Sequence, residues 1–178
     1  HSPVSSTPTA VQALINGTGE LSSAMSALMS LSEADRAHYT RRLFSRLEGD
    51  ERVSLVKALG DVPGPAISTL IRRAYHVGNT DVVMAAISAS VSRGDRLARI
   101  GLASLLDHPD VGIRLRGLEA LAVLGSSTEA HSILPSLDDP ETEEAARNAL
   151  KGILGVDRGN RSKSWRRYLH RRAARLHR

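Results

Sequence analysis

The chain is expected to fold as an all-α protein, a right-handed α-solenoid (α-α superhelix) of helical hairpins closed by a C-terminal capping helix. Three observations point there. Four apolar helical runs end on a glycine at similar intervals, at Gly60, Gly94, Gly125 and Gly155. The stretch DHPDVGIRLRGLEALAVLG (107–125) is echoed by DDPETEEAARNALKGILG (138–155), with Pro109 and Pro140 in matching places. Self-similarity at a period of about 30 residues marks stacked supersecondary units, each unable to bury its apolar face alone. Finally, hydrophobic residues make up 41% of the 178 residues but aromatics only 3%. Such a core is built from Leu, Ala, Ile and Val, which suits close helix-on-helix packing.

The elements follow in order. Residues 1–8 are rich in Ser, Pro and Thr and read as a disordered linker or remnant. Residues 9–178 are expected to form one domain, with the clearest repeats over 51–155 and a basic cap over 156–178. A short helix is predicted over 9–16, stopped by NGTG. A longer one follows over 21–31, with Leu21, Met25, Leu28 and Met29 on one face. Ser32 reads as an N-cap with Asp35 three residues on, a loose capping box, and the helix it opens runs to about Gly49. Three hairpins come next: 51–59 with 65–75, 81–92 with 95–106, and 110–124 with 128–137. The turn GDVPGP in the first is rich in helix-ending and helix-starting residues. Residues 139–154 start a fourth hairpin, and after GVDRGNRSK the residue Ser164 opens a final helix over 165–177.

Charge is unevenly placed. Residues 157–178 hold nine Lys or Arg against the single acid Asp157, a local +8 that leaves −3 on the rest of a chain of total charge +5. On a helical wheel Trp165, Leu169, Ala173 and Leu176 share one side of the final helix, while Arg167, Arg171, Arg175 and Arg178 share another. An Arg stripe of this kind suits nucleic-acid phosphate, an anionic membrane surface or an acidic protein. Trp165 and Leu169 read as a structural cap that plugs the last hairpin, and Arg172, inside the apolar stripe, is expected to pair with Glu143 or Glu144 or to reach out to solvent. A second candidate strip consists of Arg72, Arg73, Arg96 and Arg99 on second helices of adjacent hairpins, placed to meet an acidic partner.

Several chemistries are excluded or unsupported. The chain has no cysteine, which rules out disulfides, thiolate zinc sites and thiol catalysis. The seven histidines are scattered, with no HExxH pattern, and no G-x-S-x-G, Walker A or dinucleotide glycine motif is present. No catalytic, cofactor or metal residue is therefore assigned. The doublets Asp138-Asp139 and Glu143-Glu144 lie at a helix start, where they complement the helix dipole. Few aromatics remain for stacking single-stranded bases. No stretch approaches the ~18 apolar residues of a membrane span, and no positively charged leader precedes an apolar run. A soluble protein of cytoplasm or periplasm is expected, and the opening HSPVSSTPTA leaves room for a trimmed upstream signal or anchor.

HPDVGIRLRGLEALAVLG (108–125) and DPETEEAARNALKGILG (139–155) resemble bacterial HEAT-like repeats of the type also found in phycobilin lyase subunits. GVD…SWRRYL (155–169) is similar to the cap of such proteins, in which a Gly-x-Asp loop leads to a Trp-bearing helix. The resemblance spans about residues 51–169 and concerns the fold. It implies structural repeats without catalytic residues. The function expected is a non-enzymatic protein-binding scaffold or adaptor in a bacterial assembly. The alternatives are an anion-binding module working through residues 158–178 and a bilin-lyase-like helper in cofactor attachment.

Overall fold

The computed structural model describes residues 7–176, the last by its backbone alone; the expected linker is thus seen only at Thr7 and Pro8, and the candidate Arg178 lies outside the described residues. Among the described residues there are eleven α-helices, five short 3-10 turns and no strand. The all-α expectation is met. The chain divides into two compact units, His1–Arg93 and Gly94–Arg178.

The first unit holds α1 (Thr9–Ile15), α2 (Leu21–Met29), α3 (Glu33–Arg46), α4 (Gly49–Ala58), α5 (Pro65–Arg73) and α6 (Thr80–Ser92). Ser32 caps α3 as expected, its Oγ accepting from the Asp35 amide. Asn79 does the same for α6 at Val82. The broadest packing is between α4 and α6, with α5 also against α6. Leu55, Val56, Leu59, Ile67, Ile71, Val83 and Ala86 fill that interface, each nearly excluded from solvent. The buried Tyr75 hydroxyl donates to Ser90 Oγ at 2.6 Å, which satisfies a polar pair that would otherwise be costly to bury.

Two arginines staple the loops of this unit. Arg93 donates to the carbonyls of Leu59, Val62 and Gly64 and to Ser68 Oγ. Arg36 donates to the carbonyls of Leu28, Leu31, Met29 and Pro63. The planar fork of guanidinium suits clustered carbonyls at helix ends and in the loops that join them.

The second unit holds α7 (Arg99–Ser104), α8 (Val111–Leu124), α9 (Ala130–Ile133), α10 (Glu143–Leu154) and α11 (Ser162–Leu176). Here α8 and α10 make the broadest contact. The turn after α7 packs on α8, the Leu134–Leu137 turn packs on α10, and α11 packs on that same turn. Asp110 caps α8 through Ile113, and Gly155 ends α10 in the left-handed region at φ +70°, a conformation that favours glycine. Gly125 is required for another reason. Its φ is ordinary, but an added Cβ would lie 2.5 Å from the Leu121 carbonyl and 2.9 Å from Ile153.

Several boundaries differ from expectation. The helix expected over 95–106 is α7 between 3-10 turns at Arg96–Ala98 and Leu105–Asp107. The helix expected over 128–137 is only α9 followed by a 3-10 turn, because Pro135 lacks an amide hydrogen and its ring opposes a continuing α-helix. The helix expected from Asp139 begins at Glu143, since Pro140 restricts the residue before it. There the buried Thr142 donates from Oγ1 to the Ser136 carbonyl at 2.9 Å. The final helix starts at Ser162, two residues ahead of Ser164.

Candidate functional site

In the second unit a groove of about 490 Å³ lies between α7 and α9. Ile100, Ala103, Ser104 and Asp107 form one wall; Thr128, Glu129, Ser132 and Pro135 form the other. Ile100 is 73% exposed and Leu97, one helical turn before it, 67%. Both are large aliphatic side chains held in water; Ile100 lines the groove, and Leu97 lies in the 3-10 turn, Arg96–Ala98, that leads into α7. Burying one fully is worth about 1.5–3 kcal/mol, whereas an exposed ion pair is worth about 0–1 kcal/mol. On that comparison, covering the aliphatic pair would release more free energy than pairing the exposed charges.

Glu129 ties the walls of the groove together. Its carboxylate is nearly buried and accepts from the Ser126 amide at 2.9 Å and the Ser126 hydroxyl at 2.8 Å. Arg99 Nε lies 3.2 Å from its other oxygen. Arg99 therefore joins α7 to α9 as a structural tie, while Arg96, three residues before it, is exposed. Arg72 and Arg73 belong to the first unit. Arg72 is half-buried and donates to Thr69 Oγ1 at 3.0 Å. Arg73 is exposed and borders a shallow pocket of about 420 Å³ together with Arg41 of α3. Nothing in the sequence marks Arg41, whose place beside Arg73 becomes apparent only once α3 packs on α5.

The C-terminal candidates are set by a small, well-made loop. Arg147 on α10 donates to both oxygens of Asp157, at 3.0 and 2.6 Å, and the Gly159 amide donates to the same carboxylate at 2.8 Å. The hydrogen bond from Arg147, with that from Gly159, holds the Asp157 carboxyl down at about 2, and Asp157 in turn raises the Arg147 guanidinium. With the loop so held, the Gly159 carbonyl accepts from the Trp165 indole N–H at 2.7 Å. Trp165 is fully buried and Leu169 nearly so. Arg158 stacks over the Tyr168 ring at 4.7 Å, and Arg172 donates to the Tyr168 hydroxyl at 3.3 Å. Of the two outcomes expected for Arg172, the second holds: it is exposed to solvent and touches a tyrosine one turn away instead of pairing with Glu143 or Glu144. Arg167, Arg171 and Arg175 are exposed.

Among the described residues no group of three or more His, Asp or Glu is placed to hold a metal ion. No described helix is long and apolar enough to cross a membrane. No protein-family model matches the chain, and no curated protein is significantly similar to it.

Proposed function

We propose that this chain is a right-handed HEAT-like α-solenoid that serves as a non-enzymatic protein-binding scaffold or adaptor in a bacterial assembly. The fold side of this reading is supported by the repeat echo between 107–125 and 138–155 and by packing inside each unit, where α4 lies on α6 and α8 on α10. The observation that carries the binding side is the exposure of Ile100, which lines the α7–α9 groove, and of Leu97 three residues before it. A few central anchors dominate most protein interfaces, and a partner offering an apolar ridge to this groove would gain from covering both. The Arg99–Glu129 tie keeps the walls of the groove in place before a partner arrives, which lowers the ordering cost of association.

The test is site-specific photo-crosslinking in the source cells from a photoreactive residue at position 100, with position 81 on α6 as a control. A discrete crosslinked protein at position 100, lost when Leu97 is replaced by Ser and not formed from position 81, is the expected result. Equal, diffuse labelling from both positions would defeat the proposal.

A further inference from the structure

We propose that the exposed face of α11 binds the phosphate backbone of duplex DNA without regard to sequence. This stands apart from the α7–α9 groove and uses different residues. At 100° per residue, Arg166, His170, Lys163, Arg167, Arg171 and Arg175 fall within one half of the helix circumference. All six are exposed. Trp165 and Leu169 occupy the opposite half and are buried in the unit. Among the described residues none of the five Lys and Arg of this arc forms an ion pair. The helix contains no acid at all, so Arg167, Arg171 and Arg175 face one another at the spacing where like charges repel. Asp157, the acid of the preceding loop, is already held by Arg147.

The shape of this charged face selects among polyanions. A bilayer surface is flat and would meet only a narrow strip of a half-cylinder. Interfacial helices also bind by inserting apolar side chains, and here Trp165 and Leu169 are committed to the protein core. Single strands are held by stacking on exposed aromatics, but Tyr168 is half-buried beneath Arg158. The major groove of duplex RNA is too deep and narrow for a helix. The major groove of B-DNA is about 12 Å wide, admits an α-helix, and is bordered by phosphates on both sides. Cations spread over half a helix can reach both walls at once. Guanidinium adds bidentate geometry toward phosphate. No Asn or Gln lies on this face to read adenine, and Ala174 sits near its centre. The contacts are to backbone, which carries no sequence information.

The experiment is fluorescence anisotropy of a mixed-sequence duplex of about two helical turns, titrated with the full chain at several salt concentrations. Five phosphate contacts predict a slope of log affinity on log salt of about −4.5. Replacing Arg167, Arg171 and Arg175 together by Ala should cut affinity at least about tenfold and flatten the slope by about 2.7. The melting temperature should not fall, because all three side chains are exposed and their mutual repulsion is removed. Replacing Leu97 and Ile100 by Ser should leave DNA binding intact, which separates this proposal from the one for the groove. Absence of binding at low salt, or unchanged affinity and slope in the triple variant, would overturn it. So would tighter binding to phosphatidylserine-containing vesicles than to the duplex at equal salt.

Discussion

Asp157 is a small residue with a wide reach, because one carboxylate fixes both the loop after α10 and the carbonyl that receives Trp165. Its folded carboxyl titrates at about 2, below the ordinary 3.8, so the folded state binds this proton more weakly than the unfolded chain. The sign follows from linkage: the stabilisation is complete above the ordinary value and is lost as pH falls through about 2. Asp157→Asn should therefore be less stable than the parent at neutral pH, with the gap closing between about pH 4 and 2; urea midpoints across that range check it. A gap that stays constant down to pH 2 would contradict the assignment. Trp165 is the chain's single tryptophan and is fully buried. Trp165→Ala should cost about 3–5 kcal/mol, read by circular dichroism during denaturation. Parent fluorescence should be blue-shifted when folded and move to the red as α11 undocks.

At the scale of elements, helices such as α6 and α8 were plain in the sequence, and the short α7 and α9 were not. A run such as 110–124 has an N-cap at Asp110, an apolar stripe and a terminal glycine, all local signals that agree. The short α7 and α9 run into 3-10 turns, at Leu105–Asp107 and Leu134–Leu137. Pro135 could have been read as a break, but the apolar spacing around it suggested continuity. The terminal glycines also conceal two roles under one letter. Gly155 supplies a left-handed φ, whereas Gly125 leaves room for Ile153 of α10. Gly125→Ala should destabilise by about 1–3 kcal/mol in chemical denaturation, since the obstruction includes backbone that cannot move aside. A neutral or stabilising effect would show that α8 and α10 have slack between them. The loop staples Arg36 and Arg93 were not legible, because arginine in a sequence reads as surface until the carbonyls it bridges are known.

For the molecule as a whole, composition gave the helical class and the charge asymmetry, while exposure had to come from the structure. Leu97 and Ile100 look like core residues in the sequence; folding leaves them in water. Arg99 looks like a partner contact and is held by Glu129. The proposed division of labour is a groove with aliphatic anchors in the second unit and a cationic half-cylinder on α11. The most direct test replaces Leu97 and Ile100 together by Ser and measures two quantities in parallel: stability, and recovery of the protein crosslinked to the parent chain at position 100. Exposed substitutions away from packing shift stability by no more than about 0.5 kcal/mol. The account predicts stability within that range with recovery of the partner abolished. Unchanged recovery at unchanged stability would contradict it.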